Sequence, residues 1–116
     1  MPASTAISDV IIGIAQHDPD ALEGLFKARI DNLEASGLDP KSYALANIAA
    51  LIAMDAPPAS YLFQVGFAID AGVTAEEILG LLVALNATVG NVRIVAAAAE
   101  LAFALDIDLE LQGQDS

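Results

Sequence analysis

The chain has 116 residues, enough for one domain with one hydrophobic core and too few for a second. Apolar residues make up 56% of it, more than an ordinary globular chain contains, so we expect part of the apolar surface to face another subunit. Sixteen acidic against four basic residues give a net charge of −12, which repels phosphate backbones and anionic lipid. We therefore expect neither nucleic acid nor membrane as a partner.

The location of the protein is predicted from three further features. The longest uncharged runs, 42–54, 56–69 and 78–92, are shorter than the roughly 18 residues of a transmembrane helix. The first positive residue is Lys27, so the N-terminus has no basic region typical of a secretory or transit peptide. The 116 residues contain no cysteine, which suits a reducing compartment and removes disulfides and thiolate chemistry. We expect a cytoplasmic protein.

Helical signals begin at the N-terminus. A first helix is predicted at 4–16, and His17 follows it, where a cation near a helix C-terminus needs no catalytic role. A second helix is predicted at 19–36, with proline at its first position and Gly37 after its end. This helix is amphipathic, and its apolar stripe consists of Leu22, Leu25, Phe26, Ile30 and Leu33.

Four further helices complete the predicted all-α fold, a single small domain of about six short antiparallel helices. Asp39 and Pro40 start the first of them, and Thr74 to Glu77 form a capping box that starts the third. These helices are apolar nearly all round, so we expect them to form the core and the subunit interface. A loose acidic tail is predicted after them, at 106–116. The four helices are predicted at 40–54, 57–71, 75–89 and 92–105.

Metal and phosphate sites are not indicated. A carboxylate metal site needs acids at i, i+3 or i+4 spacing, whereas Asp55, Asp70 and Glu100 are each solitary in the apolar half of the chain. The eight glycines are dispersed and form no phosphate-binding loop. We expect no bound metal and no cofactor.

Polar residues within the apolar helices are the remaining candidates for chemistry. Arg93 and Glu100 share one helix face two turns apart, where they could pair across an interface or point into a cavity. Ser60, Tyr61 and Gln64 bring hydroxyl and amide groups to the predicted helix 57–71. Pro57 belongs to the same face, because Pro57, Ser60 and Gln64 follow i, i+3, i+7 spacing.

Residues 38–105 resemble the carboxymuconolactone decarboxylase and alkylhydroperoxidase D-like family of small all-helical proteins. The matching stretches are LDPKSYALANIAALIA, FAIDAGVTAEEILGLL and NATVGNVRIVAAAAELA. Residues 1–37 carry no matching motif. The resemblance implies the alkylhydroperoxidase D-like helical fold and a homo-oligomer, either a trimer or a hexamer.

The resemblance also implies which residues occupy the site. In the redox-active branch of the family, a Cys-x-x-Cys pair is followed four residues later by a histidine, and these positions fall on Pro57, Ser60 and Gln64. A glutamate of the preceding helix falls near Ala44 or Leu45 and is missing too. Neither proline nor an unactivated serine replaces an attacking thiolate. The decarboxylase branch keeps the histidine at Gln64, and glutamine cannot exchange a proton near neutral pH.

Two functions therefore stay open. The first is a non-peroxidase oligomeric domain that binds a small organic molecule between its helices or only assembles with itself. The second is an enzyme acting on a small lactone or organic acid, with Tyr61 and Gln64 as candidate catalytic groups. Its hydrogen-bonding site would be strengthened by the apolar surroundings. The candidate substrate-binding residues are Ser60, Tyr61, Gln64 and Arg93.

Overall fold

A computed structural model describes residues 19–114, and their side chains from 19 to 106, as five helices without a strand in that range. The all-α prediction is confirmed. The described chain divides after Leu38 into two compact units, one holding α1 and one holding the other four helices. The predicted helix 4–16 and His17 lie outside the described residues. The helices are α1 (Pro19–Ser36), α2 (Pro40–Met54), α3 (Pro58–Asp70), α4 (Ala75–Val89) and α5 (Asn91–Gln114).

Helix α1 has the predicted bounds. It ends where Gly37 adopts a left-handed backbone with φ +73°, a conformation that glycine enters without steric penalty. The Ser36 hydroxyl donates to the Leu33 carbonyl at 2.6 Å and accepts from the Leu38 N–H at 3.1 Å, which closes the helix end. No residue of α1 is buried, and Phe26 and Ile30 of its apolar stripe are exposed.

Side-chain caps start α2 and α4 as the sequence predicts. Asp39 accepts from the Ser42 N–H at 2.9 Å and from the Ser42 hydroxyl at 2.8 Å. In the capping box, the Glu77 N–H donates to the Thr74 hydroxyl at 3.1 Å and the Thr74 N–H donates to the Glu77 carboxylate at 3.0 Å. The Lys41 ammonium lies 3.2 Å from the Glu77 carboxylate and joins the two helix starts.

The capping box makes part of the stability sensitive to acid. The backbone hydrogen bond from Thr74 and then the bond from Lys41 hold the pKa of Glu77 below its ordinary value. Because the folded pKa is lower than the unfolded one, this stabilisation is present at neutral pH and is lost as the pH falls through the folded pKa.

Helix α5 is longer than predicted. The sequence predicted a helix at 92–105 and a loose acidic tail, whereas α5 continues to Gln114. The segment after Leu105 contains no proline and no glycine before Gly113, and its leucine, glutamate and glutamine residues favour a helix. Acidic character alone was therefore a poor reason to end the helix.

Helices α2 to α5 enclose one hydrophobic core, as predicted for the four apolar helices. Each contributes residues at helical spacing on its inward face, and these residues are removed from water. Among the described helices, none is both long and apolar enough to span a membrane. The core consists of Ala44, Ile48, Ile52, Tyr61, Val65, Ala68, Val73, Ile78, Ala97, Leu101, Ala104 and Leu105.

Ile48 is completely buried at the centre of α2, so Ile48→Ala should lower the free energy of unfolding by about 2–5 kcal/mol through lost burial and the cavity left behind. Met54→Ala on the same helix is the matched truncation, since Met54 is 73% exposed, and it should cost less than half as much. Denaturant unfolding of both variants at one protein concentration measures the difference. Equal losses would contradict the assigned core.

Candidate functional site

The candidate site surrounds the turn that joins α2 to α3. Asp55 adopts a left-handed backbone (φ 53°, ψ 53°), which is uncommon for a residue other than glycine, and the Ala56 N–H donates to the Leu51 carbonyl at 3.0 Å. Pro57 then takes an extended conformation and Pro58 occupies the first position of α3. The turn thus fixes the point at which α3 begins and the direction in which its first side chains leave the backbone.

Ser60 and Gln64 lie one turn apart on α3, on the face predicted from their spacing. Ser60 is in the first turn, where its N–H donates to the Pro57 carbonyl at 3.1 Å. Both side chains are half-buried, while Pro57 is exposed. The face is therefore partly open to solvent and offers hydroxyl and amide groups but no group that titrates near neutral pH.

Tyr61, the neighbour of Ser60 on α3, is almost completely buried, with 1% of its surface exposed. Burial is the largest cause of a raised pKa of its phenol, and the charges of Asp55 and Glu100 raise that pKa further. The hydroxyl therefore stays protonated well above neutral pH. Sequence spacing did not predict that Asp55, Tyr61 and Glu100 act on one another, because they belong to the α2–α3 turn, α3 and α5 respectively.

Arg93 has a structural partner. Its guanidinium donates to the carbonyl of Ala53 in the last turn of α2, where backbone carbonyls lack a partner within the helix. The positive charge also lies at the negative end of the α2 dipole. Within the described side chains no ion pair joins Arg93 to Glu100. Arg93 instead binds Ala53, and Glu100 acts on Tyr61.

A separate cleft of about 300 Å³ opens between α4 and α5. None of the four predicted substrate-binding residues lines it. Sequence reasoning missed this site, although two asparagines on either side of Gly90 in an apolar region were a signal. The cleft is lined by Leu82, Val83, Asn86, Asn91 and Ile94.

The family model of the carboxymuconolactone decarboxylase family matches residues 19–103. The chain belongs to the carboxymuconolactone decarboxylase family. No curated protein and no solved structure matches it. The matched region of this family member begins at residue 19 and so includes α1, for which the sequence offered no motif.

This carboxymuconolactone decarboxylase family member has no cysteine at the positions where the resemblance implies a redox pair. Pro57 and Ser60 stand where the resemblance places cysteines, and the fold still presents that face at the entrance of α3. Ala44, one of the two positions at which a glutamate was implied, is completely buried in the core. Among the described residues no group of three or more His, Asp or Glu side chains could hold a metal ion.

The chain has two tyrosines and no tryptophan, so replacing Tyr43 leaves Tyr61 as the one phenol that can be titrated by absorbance. In a Tyr43→Phe variant, phenolate absorbance should appear with a midpoint above the ordinary value of about 10. Glu100→Gln in that background should lower the midpoint, since one repelling charge is removed. Because the folded pKa is raised, the contribution of Tyr61 to stability should be constant below about pH 10 and fall as the pH rises further.

Asp70→Asn is the control for the titration, because the exposed Asp70 ends α3 and is not among the charges that act on Tyr61. It should leave the midpoint unchanged. A midpoint near 10 in the Tyr43→Phe protein would show that Tyr61 is not held in the environment described here.

Proposed function

We propose that this carboxymuconolactone decarboxylase family member is a non-peroxidase domain that assembles with itself through α5. The chain has no thiol to attack a peroxide, and both cysteine positions implied by the resemblance carry other residues. The proposal rests on one observation: α5 is buried on one side and apolar on the other. A cytoplasmic location suits a chain without cysteine.

The exposed side of α5 forms a continuous apolar stripe. Its members follow i, i+3, i+7, i+11 spacing and so lie in one row along the helix. Val92 is 85% exposed, Val95 70% and Phe103 56%. Monomeric proteins rarely leave such contiguous apolar surface in water, because burying it is favourable. The α5 stripe consists of Val92, Val95, Ala99 and Phe103.

The uncharged character of the α5 stripe is compatible with a second copy as the occupant. The net charge of −12 opposes association of two copies, so their contact has to use a surface that adds no further repulsion. The α5 stripe contains no ionisable side chain. A closed cyclic assembly would cover every copy of the stripe, and the family resemblance favours a trimer or a hexamer.

A charge placed in the α5 stripe should break the assembly. Val95→Asp would bury an unpaired carboxylate in the contact, so light scattering at micromolar concentration should give a smaller mass than for the unaltered chain. Val83→Asp is the matched control, because Val83 is an equally exposed valine, at 82%, on α4 outside the stripe. The unaltered chain should be oligomeric, and a monomer mass would refute the proposal.

A second candidate function is catalysis on a small lactone or organic acid, and the Tyr61 environment favours it. A buried phenol that stays protonated can donate a hydrogen bond to a substrate carbonyl, and it does so more strongly in a site from which water is excluded. Gln64 and Ser60 on the same helix would orient the substrate by hydrogen bonds. Arg93 would contribute only if it left the Ala53 carbonyl.

Gln64→Ala separates the two functions. If Gln64 holds a substrate, a small molecule that co-purifies with the unaltered chain, identified by mass spectrometry, should be lost while melting temperature and assembly stay the same. If Gln64 supports the fold or the assembly, the variant should melt at a lower temperature. Its free energy of unfolding should fall by roughly 1–3 kcal/mol, the cost of leaving a buried partner unsatisfied.

Asn47→Ala provides the reference for a structural amide, because the Asn47 side chain donates to the Tyr43 carbonyl at 2.9 Å within α2. This variant should lower the melting temperature without affecting a bound molecule. A Gln64→Ala protein that behaves like it supports the assembly function. One that loses only the bound molecule supports catalysis or ligand binding at α3.

A further inference from the structure

The cleft between the second half of α4 and the first turn of α5 shares no residue with the α3 site or with the α5 stripe. Its volume of about 300 Å³ lies at the lower end of the range for small-molecule sites. Its five lining residues comprise three aliphatic side chains and two carboxamides. That composition, mostly apolar with a few polar groups, is typical of sites for small organic ligands.

Two of the five lining residues are asparagines, and they come from different helices. Asn86 lies in the last turn of α4 and Asn91 is the first residue of α5. Each carboxamide provides N–H donors and a carbonyl acceptor, so together they can bind a group that both donates and accepts. Leu82 and Ile94, both half-buried, provide apolar contacts beside them.

The spacing of the two asparagines is set by the backbone between the helices. Gly90 alone joins α4 to α5 and adopts φ +95°, which favours glycine. Its N–H donates to the Asn86 carbonyl at 3.1 Å, and its own carbonyl accepts from the Ile94 N–H at 3.2 Å. These bonds fix the backbone positions from which the two asparagine side chains extend, so binding has to order the side chains but not the backbone.

We propose that this cleft binds a small uncharged organic molecule, with an aliphatic ring or chain and one amide, carbonyl or hydroxyl group. Charge restricts the class. No basic side chain lines the cleft and the chain carries a net charge of −12, so a carboxylate would be repelled without a compensating partner. No acidic side chain lines it either, so nothing there pairs with a cation.

The cyclic amide 2-piperidone is a suitable probe, because it joins an aliphatic ring to one donor and one acceptor. In NMR titrations of the full chain, the side-chain amide signals of Asn86 and Asn91 should shift together and saturate. Asn86→Ala and Asn91→Ala should each weaken binding by about fivefold, the effect of one hydrogen bond. Asn47→Ala, which removes a carboxamide outside the cleft, should leave the affinity unchanged.

Two further arms keep the proposal falsifiable. Val83→Trp should abolish the shifts, because Val83 lines the cleft and is exposed, so the larger ring can fill it without disturbing the core. Cyclohexanecarboxylate should bind at least about tenfold more weakly than 2-piperidone, since a charged group lacks a partner there.

Three results would overturn the proposal. The asparagine signals could stay unchanged when the probe is added, or both alanine variants could bind the probe as tightly as the unaltered chain does. The signals could also follow protein concentration rather than probe concentration, which would assign the cleft to contact between copies of the chain. Equal or tighter binding of the carboxylate would refute the uncharged class of ligand while leaving the proposed self-assembly unaffected.

Discussion

The excess of apolar surface over what four short helices can enclose is the constraint on which the rest of the structure depends. Each of α2 to α5 has one face in the core, yet α5 also carries valine, alanine and phenylalanine on its opposite face. A helix that is apolar on two sides needs two neighbours. The core supplies one of them, and the proposed contact with a second copy of the chain would supply the other.

Packing around that core also decides what the polar residues do. The side chain of Arg93 extends from α5 to the end of α2. A guanidinium that could bind an anion instead donates to a backbone carbonyl that lacks a partner within the helix. Glu100, two turns later, acts on the Tyr61 phenol together with Asp55. Glu100 and Tyr61 lie on different helices, α5 and α3, which pack against each other. The effect of the carboxylate on the pKa of the phenol therefore depends on correct packing of these helices.

At the start of α3, the positions where the resemblance implies reactive groups carry Pro57, Ser60 and Gln64. A left-handed residue and two prolines still set the start of the helix, and Ser60 and Gln64 still follow at one-turn spacing. Neither side chain supplies a strong nucleophile or a proton acceptor at neutral pH. Chemistry at this entrance is limited to hydrogen bonding and to the protonated phenol beneath it, whereas the α4–α5 cleft offers amides in an apolar setting.

The sequence by itself determined the all-α class, the starts of α2 and α4, and the apolar helices that form the core. These features depend on local sequence: Asp39 and Thr74 cap their own helices, and the apolar composition of the last four helices predicts that they form the core. It also gave the family and the absence of thiols. It did not predict the length of α5. The acidic residues after Leu105 were interpreted as a loose tail, although the residues there favour a helix and α5 continues to Gln114. Only the tertiary structure decided the partner of Arg93 and the charges around Tyr61, because each joins residues from separate helices and no spacing along the chain encodes such a contact.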